Sequence, residues 1–129
     1  MTVLIGYLPS PEGEAALQLG FAEARLRKTT AIVVNSPRRG AANGVTTIRK
    51  QEAERIIALG AEAGVDVEVE QPPHEDDLAD TLNRLAAEHE AQLIVIGLRK
   101  RSAIGKFILG SQAQRILLDA EVPVLTAKA

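Results

Sequence analysis

The feature that most constrains this chain is QLIVIG at residues 92–97, an almost unbroken apolar run too short to be a helix and closed by a glycine. Such a run suits a strand buried on both faces, and in a single domain that means a parallel sheet covered by helices on each side. The segments around it repeat the theme. TVLIGY (residues 2–7) and AIVV (31–34) are short aliphatic strands, VDVEVE (65–70) alternates strictly, and EVPVLTA (121–127) closes the chain. Strict alternation leaves one face polar, so VDVEVE is expected at a sheet edge.

Helical patterns separate these strands. The spacing predicts helices over 14–28, about 47–63, 76–90 and 111–119, with Gly64 a natural stop for the second. LPSPEG, NSPRRGAANG and QPPHEDD are rich in turn residues and read as loops. The order β-α-β-α-β-α-β-loop-α-β over 129 residues predicts one doubly wound α/β domain, with no linker and no internal repeat. In such sheets the ligand crevice lies beyond the carboxyl ends of the strands, where the strand order reverses. The loops at 8–13, 35–44 and 98–110 open toward that end.

Composition excludes several classes. With no cysteine there are no disulfides, thiolate nucleophiles or cysteine metal sites. Two phenylalanines, one tyrosine and no tryptophan give no stacking platform for single-stranded nucleic acid. No apolar run approaches the roughly 20 residues of a membrane span, and MTVLIGYLPSPE has neither a basic region nor a signal-length apolar stretch. A cytoplasmic protein with no membrane and no nucleic-acid partner is the expectation. Charge is uneven: residues 1–96 carry 9 Lys/Arg against 15 Asp/Glu, whereas 97–129 carry 6 against 2. A small local excess of positive charge suits a small anion.

That excess sits in GLRKRSAIGKFILGSQAQR, residues 97–115. Gly97 ends the fourth strand, where glycine permits a ligand to approach the backbone. Ser111 is a candidate cap for the last helix. The N–H groups of Ser111 and Gln112 are then placed to meet an anion, with Arg99 and Lys100 adding charge. The same residues also make an ordinary βα loop, so phosphate cradle and plain scaffold both stand on local chemistry. Two nucleotide motifs fail. For a Walker A loop around Gly105-Lys106, Lys100 replaces the first glycine and Phe107 the hydroxyl, and GYLPSPEG offers no G-x-G-x-x-G.

Gly97, Lys100 and Gly110-Ser111 do fall at the spacings of G-x2-G-x9-G-[ST], the nucleotide-binding pattern of the universal stress protein family. RSAIGKFILGSQAQRILLDAEVPVLTA and LIGYLPSPEGEAAL resemble that family's C-terminal and opening segments, so the resemblance spans nearly the whole chain. It implies a five-stranded parallel sheet of order 3-2-1-4-5. It also implies a homodimer joined through the last strand, Val122 to Thr126, and a site for ATP or another adenine nucleotide, with or without magnesium. Carried onto this sequence, that site comprises Pro9, Ser10, Val34, Gly97, Arg99, Lys100, Gly110, Ser111 and Gln112, with Val33 sharing the hydrophobic lining. Two departures stand out. Lys100 occupies the motif's second glycine, and Leu8 stands where nucleotide-binding members usually carry an aspartate after the first strand. A stress-type protein that binds no cofactor and acts through dimer and protein contacts is therefore the competing reading.

No catalytic or metal constellation is evident. His74 and His89 lie in separate surroundings, no serine sits in a nucleophile elbow, and Ser102 has no adjacent base. Glu12 and Glu14 are the carboxylates nearest the expected site, as parts of the first helix or its approach. Slow ATP hydrolysis is the most that the sequence supports.

Overall fold

The computed structural model describes residues 1–35, 50–72, 77–99 and 110–129. Five strands, β1 (Thr2–Tyr7), β2 (Thr30–Asn35), β3 (Val67–Glu70), β4 (Ala91–Leu98) and β5 (Val124–Lys128), form one sheet in the order β3-β2-β1-β4-β5. Every neighbouring pair is parallel. Among the described residues four helices flank the sheet: α1 (Pro11–Leu26), α2 (Lys50–Glu62), α3 (Leu78–Glu88) and α4 (Ser111–Asp119).

The period of two along each strand divides the core. Val3, Ile5, Ala31, Val33, Leu93 and Val95 pack under α1 and α2 with Ala16, Leu17, Phe21 and Ile56. Their neighbours Leu4, Ile32, Val34, Ile94 and Ile96 pack under α3 and α4 with Leu82, Leu85 and Ile116. β1, β2 and β4 are thus buried on both faces, as their apolar sequences require. β3 is an edge strand, its valines on the α1/α2 core and Glu68 exposed.

Element limits depart from the sequence expectation where capping decides them. α1 begins at Pro11, three residues earlier than Glu14. Ser10 is its N-cap, the Ser10 Oγ accepting from Gly13 N at 3.0 Å, and Pro11 sits in the first turn, where its missing N–H costs nothing. The prolines that read as breakers therefore start the helix. β3 begins at Val67 rather than Val65, and β5 begins after Pro123. The expected helical residues 47–49 and 76 lie outside the described ones.

Gly20 shows how closely α1 lies on the sheet: a Cβ there would stand 2.3 Å from Cδ1 and 2.5 Å from Cγ1 of the fully buried Ile5. Gly20→Ala is expected to destabilise the fold by about 1–3 kcal/mol through overpacking. A urea midpoint equal to that of the unaltered chain would show that α1 can shift without loss.

Candidate functional site

β1 is paired with β2 on one side and β4 on the other, so the chain reverses its direction of travel across the sheet at the β1/β4 pair. A cleft of about 150 Å³ opens there, at the carboxyl ends of the strands. Its floor is the α3/α4 face of the sheet: Gly6 of β1, Val34 of β2 and Ile96 of β4. Gly6 has no side chain to fill the space between its neighbours, and that leaves the floor hollow. Leu78 and Leu82 of α3 and Ala113 and Ile116 of α4 enclose it. The mouth is lined by Leu8, Ser10, Glu12, Gly97, Arg99, Gly110 and Gln112.

The expected site residues divide into three groups. Ser10, Val34, Gly97, Arg99, Gly110 and Gln112 converge on the cleft. Pro9 and Ser111 are adjacent in sequence to its lining but not part of it, and Val33 points to the opposite core. Lys100 lies outside the described residues, as does His74. Sequence reasoning missed the apolar enclosure from α3 and α4 and the hollow at Gly6, because no local pattern brings those residues together.

Two glycines act differently from expectation. At Gly97 the approaching group is protein: a Cβ would stand 2.0 Å from the Glu12 carbonyl oxygen and 2.6 Å from its carbon. The residue must be small so that the first turn of α1 can rest on β4. Gly110, not Ser111, is the N-cap of α4, because the helix begins at Ser111 and the capping position is the one before it. Glycine brings no side-chain oxygen, so α4 starts with no side-chain cap and no acidic residue in its first turn. The earliest helical bond is Gln114 N to Gly110 O at 3.0 Å, leaving the N–H groups of 111–113 without intrahelical acceptors. That end of the cleft favours negative charge. Arg99 is exposed beside it, with no ion pair to any described residue.

On the other face of the sheet end lies a polar cluster. The Tyr7 hydroxyl donates to Glu52 Oε1 at 2.9 Å, with Glu14 Oε1 at 3.3 Å. Arg55 bridges Glu14 and Glu52. Burial, reinforced by the bond to Glu52, pushes the Tyr7 phenol well above its usual range. The hydrogen bond from Arg55, opposed in part by burial, holds the Glu52 carboxyl below the usual range. β1, α1 and α2 are thereby tied together, and Glu14 is committed to this cluster rather than to the cleft. His89, at the C-terminus of α3, is 3.0 Å from Glu70 Oε1 and is not among the residues that line the cleft.

An open, all-parallel sheet of this order with helices on both faces and a cleft at its reversal point defines a Rossmann-like α/β protein. A sequence model of the universal stress protein family matches residues 1–128. A universal stress protein from Mycolicibacterium smegmatis is 36% identical over 126 residues, covering 98% of this chain and 96% of the relative. Among solved structures, the universal stress protein from Archaeoglobus fulgidus superposes with a TM-score of 0.83 at 31% identity, covering 99% of this chain and 98% of that one. An Archaeoglobus fulgidus universal stress protein in complex with dAMP gives 0.74 at 26% identity, with the same coverage of 99% and 98%. The chain belongs to the universal stress protein family.

The polar cluster predicts how stability depends on pH. Glu52 has a lowered folded pKa, so its contribution is present above the ordinary carboxylate pKa of about 4.3 and is lost as pH falls through the folded value. Tyr7 has a raised folded pKa, so its contribution is intact below about pH 10 and is lost as pH rises above that. Arg55→Ala should flatten the acid limb of melting temperature against pH, and Tyr7→Phe the alkaline limb. Limbs parallel to those of the unaltered protein would show that the cluster contributes nothing.

Proposed function

We propose that the cleft binds an adenine nucleotide, with the base over Gly6, Val34 and Ile96 and the phosphates toward Arg99 and the start of α4. The observation that carries this reading is the meeting of a hollow apolar floor with an uncapped helix N-terminus in one cleft. A flat apolar ring and an anionic tail are the two halves of a nucleotide. The dAMP complex of the Archaeoglobus fulgidus relative supports it. The protein then works in the cytoplasm as a dimeric, nucleotide-responsive stress regulator, with ATP turnover slow at most. Fast phosphoryl transfer needs a positioned water and metal-holding carboxylates, and Glu14 is already held by Arg55.

Calorimetric titration with ATP, ADP, AMP and cyclic AMP, with and without magnesium, tests the reading. Saturable binding near one nucleotide per chain is expected. Gly110→Asp, which sets a carboxylate against the incoming phosphate, should weaken it at least ten-fold, about 1.4 kcal/mol. No heat with any of the four would favour the second reading, a stress-type protein acting through protein contacts alone. The specific observation behind that alternative is the aliphatic Leu8 on the cleft wall.

The dimer is proposed to form through β5. This strand is outermost in the sheet, and Val124, Leu125 and Thr126 are only partly covered. An aliphatic edge with unpaired backbone groups is a template for strand pairing. Sedimentation equilibrium should give a dimer, and Thr126→Lys, which brings like charges together across a two-fold pairing, should weaken it at least ten-fold. A monomer, or a dimer indifferent to that substitution, would remove β5 as the interface.

A further inference from the structure

We infer that Glu12 is the acidic group through which this cleft reads its ligand, accepting hydrogen bonds from the hydroxyls of the nucleotide's sugar; the inference rests on the nucleotide reading above. Leu8, on the cleft wall, has no polar side-chain atom to offer a ligand. The turn that follows it is closed tightly. Ser10 Oγ donates to the Leu8 carbonyl at 3.1 Å and accepts from Gly13 N at 3.0 Å. A Cβ at Gly13 would stand 1.9 Å from the Leu8 carbonyl oxygen. Closure of this kind returns residue 12 to the wall beside residue 8. Glu12 lines the cleft there, its Cβ 3.0 Å from where a Cβ on Gly97 would be. The wall that Leu8 leaves apolar thus carries one acidic residue, Glu12, four positions further on.

The other nearby carboxylates are engaged. Glu14 and Glu52 are held by Arg55, and Asp77 caps α3 and pairs with Arg115. Among the described residues that line the cleft, Glu12 alone is acidic, and its carboxylate makes no hydrogen bond or ion pair with any described residue. A carboxylate repels phosphate, and the phosphates are directed to Arg99 and α4. What remains between base and phosphate is the sugar, whose neighbouring hydroxyls are donors matched to the two oxygens of a carboxylate. The same pairing of an acidic side chain with a ribose hydroxyl recurs in dinucleotide-binding sheets.

The test compares AMP with 2′,3′-dideoxy-AMP, titrated in EDTA against the full chain and its Glu12→Ala and Glu12→Gln variants. Melting temperatures verify that the variants fold. The unaltered protein should bind AMP on the order of ten-fold or more tightly than the dideoxy compound, the scale of a hydrogen bond to a charged group. Glu12→Ala should bind both alike, at the dideoxy level, and Glu12→Gln should fall between. Equal binding of the two ligands by the unaltered chain, or a preference that survives in Glu12→Ala, overturns the inference and leaves the nucleotide reading standing. So does an effect of Glu12→Ala seen only when magnesium replaces EDTA, which would make the carboxylate a cation ligand. Failure of the unaltered chain to bind either compound overturns both.

Discussion

The contact on which this structure turns is the one between Gly97 and the backbone of Glu12. It allows the amino end of α1 to rest directly on β4, with no room for a methyl group between them. α1 belongs to the α1/α2 layer, so the contact ties that layer to the strand on the far side of β1. The same contact builds the cleft wall, since Leu8, Ser10, Glu12 and Gly97 all line the opening. A position that looks reserved for a ligand is therefore first a packing requirement, and the site exists because the packing is tight.

Polar groups close the carboxyl end of the sheet on the side away from the cleft. Tyr7 ends β1 on that face, its hydroxyl held by Glu52 and its carbonyl accepting from the fully buried Asn35 Nδ2 at 3.1 Å. Arg55 then joins α2 to α1 through Glu52 and Glu14. Exposed ion pairs of this kind contribute little singly. Their place is what matters, because they satisfy the tyrosine hydroxyl and absorb the carboxylates that would otherwise face the sheet end. With that side sealed, the free volume falls on the α3/α4 side, over the hollow at Gly6.

Most of the architecture could be read from the residues. QLIVIG suits a strand covered on both faces, and the strict alternation of VDVEVE favours an edge, because each pattern matches the burial that β4 and β3 show. The differences come where capping at a helix end outranks periodicity. Ser10 moved the start of α1 to Pro11, and the helix after Gly110 left Ser111 no capping role. The candidate site was legible in its polar half, since Gly97 and Gly110 are fixed points of one spaced motif and Arg99 falls between them. Its apolar half was not, because Leu78, Leu82 and Ile116 meet Gly6 and Val34 only when two helices cross the sheet. The polar cluster left one faint signal, the three-residue spacing of Glu52 and Arg55, which pairs them on one helix face but does not reveal Tyr7.

Taken together, these placements give the cleft two ends of opposite electrostatic character. α4 begins with bare N–H groups beside Arg99, while the first turn of α1 brings Glu12 to the opposing wall. A uniformly anionic ligand would meet repulsion at Glu12, and a purely apolar one would leave the helix end and the carboxylate without partners. A ligand with a flat apolar part, hydroxyl donors at its centre and an anionic end satisfies all three surfaces at once. The tight closure between Leu8 and Gly13 is what sets an acidic residue, Glu12, on the same wall as the aliphatic residue at position 8.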